Sequence, residues 1–259
     1  MSSMQKLSAV IISFNEEKNI ARCLASLKGI ADEIVVLDSF STDQTVYLAE
    51  AAGARVFQQA FAGYIEQKNT ALAHASFDYV LCLDADEELS SELQQSILME
   101  KQNFSQDGYT MNRCTCYCGR FIKHGTWYPD TKLRLFNKEK AKWAGINPHD
   151  KVEFSSGGSL QKLKGDLLHY SYNSLEEHII QNNRFSTISA EAYFKKGKKF
   201  SLFSLLFNPA WSFINGYLFR LGFLDGMRGF IIAKNVAHLT FMKYYKLYAL
   251  EKGIPLKKS

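Results

Sequence analysis

Apolar runs and helix-type patterns alternate through the first hundred residues of the chain. Apolar runs predict four strands, at Leu7–Phe14, Asp32–Asp38, Ala54–Gln58 and Tyr79–Asp84. Apolar positions at helical spacing predict helices between and after them, from Asn15 to Gly29, Ser41 to Ala52, Ile65 to Ala75 and Ser90 to Lys101. Strand–helix repetition of this kind predicts an α/β fold with a doubly wound, mostly parallel sheet. Such a sheet binds its ligands at the carboxyl ends of its strands.

The pattern changes in the second half of the chain. Gly108–Cys118 and Trp127–Phe136 are predicted strands, and helical spacing returns from Leu175 onward. Phe200–Phe219 holds twenty residues without a charge, and Asn208–Pro209 is expected to break it in the middle. We therefore favour a pair of interfacial helices lying on a membrane surface. A buried helical subdomain and a bilayer-spanning helix are the alternatives.

Composition narrows the range of partners. The 259 residues are 46% hydrophobic with a formal net charge of +5, which indicates a globular chain with one substantial core. Acidic residues concentrate in the first half and lysines in the second, without the aromatic-basic stripe of a nucleic-acid module. We expect no nucleic acid, and we expect anionic lipid near the basic C-terminal region. Five cysteines without a disulfide framework, and no signal-peptide core before the first strand, predict a cytoplasmic location.

Acidic side chains stand at the predicted strand ends. Asp84 and Asp86 follow an apolar run, and Asp38 ends the second strand. Two hard oxygen donors in a D-x-D pair suit Mg²⁺ or Mn²⁺, which complete their coordination with substrate phosphates. An isolated D-x-D is more often a solvated acidic loop. Further motifs at the other strand ends favour a phosphate-bearing ligand.

Those motifs, taken in order, resemble the inverting family-2 glycosyltransferases. They are Val10–Glu17, Ile34–Thr45, Gln67–Asn69 and Leu83–Asp86. Later segments resemble the bacterial lipopolysaccharide-core β-glucosyltransferase branch, namely His124–Asp130, Lys132–Phe136 and Leu221–Gly226. The resemblance implies a nucleotide-diphospho-sugar transferase fold of the GT-A type. It implies a catalytic domain at 1–172, with a nucleotide-sugar-binding half at 1–104 and an acceptor half at 105–172. A helical, membrane-associating region at 173–259 would follow.

The resemblance also implies roles for individual residues. The nucleotide-sugar would be contacted by Phe14, Asn15, Glu16, Asp38, Lys68 and Asp84. The metal ion would be held by Asp84, Asp86 and His149. Asn15 could instead cap the first helix, and Lys132 and Arg134 could meet an anionic acceptor. An inverting reaction needs a carboxylate base, for which Asp150 is preferred and Asp130 is the competitor.

The expected activity is a metal-dependent hexosyl transfer. The donor would be a UDP-sugar, with glucose as the expected sugar, and the acceptor a lipid-linked glycan, with the heptose region of lipopolysaccharide inner core as the expected one. The enzyme would lie on the inner face of the cytoplasmic membrane. The alternatives are transfer to a polyprenyl phosphate or another envelope glycan, and a catalytically silent nucleotide-sugar-binding scaffold. A sugar-phosphate nucleotidyltransferase is disfavoured because residues 10–20 lack the glycine-rich loop that it needs.

Overall fold

Strands and helices alternate over the first hundred residues, as the hydrophobic pattern predicts. The computed structural model describes residues 4–147 and 149–256, and for Ile146 and His149 it describes the backbone alone. The strands are β1 Leu7–Ser13, β2 Glu33–Asp38, β3 Arg55–Gln58, β4 Tyr79–Asp84 and the short β5 Glu87–Leu89. The helices are α1 Ile20–Ser26, α2 Thr45–Ala51, α3 Tyr64–Ala73 and α4 Ser91–Glu100.

The first four strands form the parallel part of the sheet, in the order β3-β2-β1-β4. Their register places Ser13 opposite Asp38, and Ile12 opposite Asp84. The carboxyl ends of β1, β2 and β4 therefore meet at one edge. This edge carries most of the predicted ligand-binding residues, as expected for an open α/β sheet.

The sheet continues with strands from the second half of the chain. These are β6 Gly108–Tyr117, β7 Arg120–Phe121, β8 Asp130–Asn137 and β11 Leu160–Tyr172. The order beyond β4 is β8-β6-β11-β5, and β8 is antiparallel to both β4 and β6. A separate antiparallel pair comprises β9 Ala141–Ile146 and β10 His149–Phe154.

Both faces of the parallel strands are covered. Leu7, Ala9 and Ile11 of β1 lie in one buried cluster with residues of α1 and α4. Val10 lies in a second cluster with residues of α3 and with Trp143. Successive side chains of a strand point to opposite faces, so the two clusters cover both faces of β1. The predicted doubly wound α/β class is confirmed.

Three long helices follow the sheet: α5 Leu175–Lys195, α6 Leu202–Ile214 and α7 Gly226–Glu251. The predicted break at Asn208–Pro209 is wrong, because α6 continues through Pro209 and passes into a π-helical turn at Asn215–Phe219. Proline removes a single backbone donor, and the packing of α6 against α7 holds the helix together. Within the described residues, no helix has the length and apolar character needed to cross a membrane.

The chain divides into two compact units. One comprises Met1–Arg113 and Asp130–Tyr170, and the other comprises Cys114–Pro129 and Ser171–Ser259. The first unit contains the parallel strands and the D-x-D pair, and the second contains the long helices. The functional division into 1–104, 105–172 and 173–259 stays a prediction.

Candidate functional site

Asp84 and Asp86 lie at the carboxyl end of β4, where the sequence predicts them. Asp84 is its last residue, and Ala85 between the two acids is buried. The turn is held by Glu87, whose carboxylate accepts the backbone N–H of Asp84 at 2.9 Å. Glu87 itself is buried, and burial raises the pKa of its carboxyl. Sequence reasoning gave Glu87 no role and so missed its part in fixing this turn.

Lys68 connects the D-x-D pair to the preferred catalytic base. Its Nζ lies 3.1 Å from Asp84 Oδ1 and 2.9 Å from Asp150 Oδ2. The side chain is buried and passes over the ring of Trp143, with Nζ 4.3 Å from the ring centroid. The structure therefore brings together three residues separated by up to 82 positions in the chain.

The neighbours of Lys68 explain why the Gln67–Asn69 motif is needed. Gln67 is buried and donates to Ser39 Oγ in the loop after β2 at 3.0 Å. Asn69 donates to the backbone carbonyl of Trp143 at 2.8 Å and accepts its N–H at 3.1 Å. Helix α3 is thereby tied to β2 on one side and to β9 on the other. The lysine between these two anchors is held at the acids.

Arg134 is the second cation on Asp84. Its Nη2 lies 2.9 Å from Asp84 Oδ2 and 2.9 Å from Glu87 Oε1. Sequence analysis assigned Arg134 to an anionic acceptor or to solvent, but the side chain is buried against these two acids. Although burial opposes the charged form, Arg134 and Lys68 hold the pKa of Asp84 well below its usual range. Asp84 is therefore ionised throughout the physiological pH range.

Asp130, the competing base, is engaged elsewhere. Arg113 donates to its Oδ2 through Nε at 3.0 Å and through Nη2 at 2.9 Å. Lys132 lies 2.9 Å from Oδ1. Partial burial opposes ionisation, but these two cations lower the pKa of the Asp130 carboxyl. Asp150 is also paired with a cation, Lys68, at 2.9 Å, so the choice of Asp150 over Asp130 stays a prediction.

Asp86 faces a residue that sequence reasoning did not identify. His169 Nε2 lies 3.2 Å from Asp86 Oδ2, and β11 delivers this histidine by pairing His169 opposite Glu87 of β5. His169 Nδ1 is buried and has no hydrogen-bond partner among the described residues. The available signal was a histidine directly after the apolar pair Leu167–Leu168. Its antiparallel pairing with the residues after the D-x-D pair is not visible in one sequence.

A divalent cation fits this pair better than it fits Asp84. Within residues 4–147 and 149–256, no group of three or more His, Cys, Asp or Glu side chains is arranged as a complete metal site. Both oxygens of Asp84 are paired with cations, whereas Asp86 and His169 offer one oxygen and one nitrogen ligand. Ions that take few protein ligands and several phosphate oxygens suit such a pair. The predicted ligand His149 has a side chain outside the described residues.

The predicted nucleoside contacts lie along the same edge of the sheet. Phe14 is 59% exposed just past β1, which leaves its ring free for stacking. Asn15 has a positive φ of 53° and accepts the N–H of Thr42 at 2.9 Å, so it braces a loop. It does not cap α1, whose N-cap is Asn19. Glu16 lies near Asp86, and burial followed by the charges of neighbouring acids raises the pKa of its carboxyl.

Asp38 is fully buried, and its carboxylate accepts hydrogen bonds from β1, from β3 and from the loop after β2. Oδ1 accepts from Ser13 Oγ at 2.9 Å, and Oδ2 accepts from the N–H of Ser41 at 2.7 Å and from Gln58 Nε2 at 3.3 Å. A nucleoside contact at Asp38 would replace one of these bonds. In this state the residue orders the loop after β2.

The two motifs of the second unit contact each other. The buried carboxylate of Asp225 accepts the backbone N–H of His124 at 2.9 Å and lies 3.2 Å from His124 Nδ1. Trp127 stacks on Tyr172, with ring centroids 5.3 Å apart, and Tyr117 packs edge-on against Trp127. Residues 124–129 of the first motif and the Leu221–Gly226 segment thus contact each other within this unit.

Comparisons with known proteins agree with the motifs. A family model described as glycosyl transferase family 2 matches residues 8–165. An uncharacterized glycosyltransferase of Rickettsia typhi is 38% identical over 95% of this chain and 88% of its own length. The lipopolysaccharide core biosynthesis glycosyltransferase LpsC of Rhizobium meliloti is 32% identical over 95% of this chain and 94% of its own length. Among solved structures, S. aureus TarS 1-349 is 19% identical, with 96% of this chain and 92% of that chain covered and a TM-score of 0.49. The family predicted from the motifs is confirmed, and the chain belongs to glycosyl transferase family 2.

Proposed function

We infer that the protein is an inverting hexosyltransferase that moves glucose from UDP-glucose to a lipid-linked saccharide. The acceptor is the heptose region of lipopolysaccharide inner core. The observation that carries this proposal is Lys68, which bridges the D-x-D acid Asp84 and the carboxylate of Asp150. Inverting glycosyl transfer requires a group that binds the donor and a base that accepts the proton of the acceptor hydroxyl. Lys68 holds one candidate for each role side by side. The similarity to a lipopolysaccharide-core glycosyltransferase along nearly the whole chain supports the choice of acceptor.

The donor is bound along the carboxyl edge of the parallel strands. Phe14 stacks on the base, and the loops ordered by Asn15 and Asp38 contact the nucleoside. Glu16, with its raised pKa, lies close enough to the D-x-D acids to meet the ribose or the diphosphate. These roles follow from the position of each residue at a strand end.

Asp86 and His169 would hold a divalent cation, Mg²⁺ or Mn²⁺. When bound, this ion neutralises charge that develops on the leaving nucleoside diphosphate. Asp84 is held by Lys68 and Arg134 in its ionised form, ready to orient the sugar.

Asp150 removes the proton from the acceptor hydroxyl as its oxygen attacks the anomeric carbon from the face opposite the diphosphate. In the substrate-free protein Lys68 pairs with Asp150 Oδ2. A diphosphate that enters beside Asp84 offers Lys68 a second anion. Lys68 can then release Asp150 to contact the acceptor hydroxyl when the donor is in place.

The C-terminal helices attach the enzyme to the inner face of the cytoplasmic membrane. No residue of α6 is buried, although Phe203, Leu206 and Trp211 are among its side chains. A large exposed apolar surface on one helix is typical of an interfacial segment. A polyprenyl phosphate or another envelope glycan remains the alternative acceptor, because the same surface suits any lipid-linked substrate.

Release of UDP from a panel of UDP-sugars tests the proposal, with Mg²⁺ or Mn²⁺ and purified core-truncated lipopolysaccharide as acceptor. We expect acceptor-dependent release with UDP-glucose, and loss of release in Asp86→Asn and His169→Gln variants that still fold. Release of UDP with a lipid phosphate as the only acceptor would show that the acceptor is a lipid phosphate and not lipopolysaccharide. Nucleotide binding without release for any sugar and acceptor would favour a silent scaffold and contradict the proposal.

A further inference from the structure

An apolar groove of about 430 Å³ lies between α6 and α7 in the second unit. From α6 it is lined by Pro209, Ala210 and Phe213, and from α7 by Ala237 and Phe241. Small side chains at facing positions keep two packed helices from filling the space between them. The volume falls in the range of about 300–1,000 Å³ that is usual for sites that bind small ligands.

One lysine and one histidine stand at the rim of the groove. Lys234 and His238 both line it, and they lie one turn apart on α7, so their side chains share a face. Both are exposed. The surrounding chain has the same charge, since residues 196–250 carry eight lysines and arginines and a single acid, Asp225. An anionic group at this rim would meet positive charge and little repulsion.

We propose that this groove binds one acyl chain of an anionic phospholipid, with the lipid phosphate at Lys234 and His238. Apart from these two residues, every side chain that lines the groove is apolar. An acyl chain has no polar groups to satisfy, whereas a peptide segment would bury backbone N–H and C=O groups without partners. The chemistry of the lining therefore selects a lipid tail over a polypeptide.

The source of the ligand is the membrane itself. Helix α6 forms one wall of the groove and also carries exposed Phe203, Phe207 and Trp211. A lipid can thus pass from a bilayer that contacts α6 into the groove without crossing water. This inference rests on the proposed membrane attachment. It adds a stoichiometric lipid site that attachment alone does not require.

A soluble lipid separates this site from adsorption to a surface. Dihexanoyl-phosphatidylglycerol, kept below its micelle concentration, is titrated into the full-length protein and followed by calorimetry. We expect saturable binding of one lipid. Ala237→Trp, which fills the groove from α7, should weaken binding at least tenfold, and Ala210→Leu, which fills it from α6, provides a second variant if the first does not fold. Lys234→Gln with His238→Gln should weaken binding about tenfold, as expected when a charge-assisted contact is lost.

Matched controls decide between the possible sources of binding. Lys243→Gln removes a charge from the same helix at a side chain that lies over Tyr193 and Tyr244, and it should leave affinity within about twofold. Equal affinity for dihexanoyl-phosphatidylcholine would overturn the role of the rim. Full competition by inorganic phosphate, or unchanged affinity in both filled variants, would overturn the acyl site.

Vesicle flotation and UDP release are measured in parallel. Flotation with phosphatidylglycerol vesicles but no binding of the soluble lipid would refute the groove and leave membrane attachment intact. Binding of the soluble lipid without any sugar transfer would support the groove while the proposed activity fails.

Discussion

The buried pair between Arg134 and Glu87 allows a quantitative test of how the D-x-D turn is held. Their side chains are 5% and 0% exposed, and Arg134 Nη2 is 2.9 Å from Glu87 Oε1. Arg134→Met would leave Glu87 and Asp84 as neighbouring acids, with Lys68 as the remaining cation on Asp84. Removing one partner of a buried ion pair costs about 3–5 kcal/mol, because the other charge stays buried without that partner. Arg113 Nη1, at 3.8 Å from Glu87 Oε1, keeps a weaker contact with it. We expect a loss of this size in the free energy of unfolding.

The same strand offers a matched control. Lys132 pairs with Asp130 at 2.9 Å, but these side chains are 39% and 31% exposed. Lys132→Met should therefore cost about 0–1 kcal/mol, the usual value for an exposed pair. Both substitutions remove one positive charge from β8 and differ mainly in burial.

A double-mutant cycle isolates the interaction. Glu87→Gln removes the negative charge while keeping an oxygen that can accept the N–H of Asp84. The double variant should be more stable than the sum of the single losses predicts, by about 1–3 kcal/mol. Unfolding in urea is followed by Trp143 fluorescence, in a background where Trp127 and Trp211 are phenylalanine, because Trp143 lies in the first unit beside Lys68. Losses that add within about 0.5 kcal/mol would refute the reasoning.

Three further predictions concern the buried side chains of His178 and Lys246 and the choice of catalytic base. Burial lowers the pKa of His178 from 6.5 to about 4, so below pH 6.5 the unfolded chain takes up a proton that the folded chain refuses. Stability of the second unit should fall by about 2 kcal/mol as the pH is lowered through this window and stay constant above it, and His178→Gln should flatten the profile in thermal unfolding. Lys246 Nζ donates to oxygens of Asn183, Ser186 and Thr187 at 2.7–2.8 Å, so Lys246→Met should cost about 1–3 kcal/mol in chemical denaturation; a loss no larger than that of Lys243→Met would contradict this. Asp150→Asn should lower kcat at least about 100-fold with donor affinity retained, and Asp130→Asn less than about tenfold; the reverse order would reassign the base.

Local pattern was sufficient to predict the donor half of the fold. The apolar run before Asp84 predicts a strand covered on both faces, and that strand pairs in parallel with β1. Asp84, Lys68 and Asp150 were each identified from motifs. In the structure Lys68 lies within hydrogen-bonding distance of both acids.

The contacts that sequence reasoning missed depend on long-range pairing. Arg134 reaches Asp84 because β8 pairs antiparallel with β4, and His169 reaches Asp86 because β11 pairs with β5. Neither pairing leaves a periodic signal, since a strand pattern specifies a face but not a partner. The predicted helix break at Pro209 was wrong for a related reason. Helix α7 packs against α6 and stabilises it through the proline, and α7 lies too far along the chain for a local sequence pattern to include it.

The acids at the end of β4 are neutralised by the protein itself. Asp84 is paired with Lys68 and Arg134, Glu87 with Arg134, and Asp86 lies beside His169. Domains whose ligands repel one another until an ion binds cannot fold without that ion. These acids are paired with groups of the chain itself, so we expect the protein to fold without an ion and to unfold cooperatively in the presence of a chelator. An ion that binds together with the donor phosphates would add to this stability and would not be needed to create it.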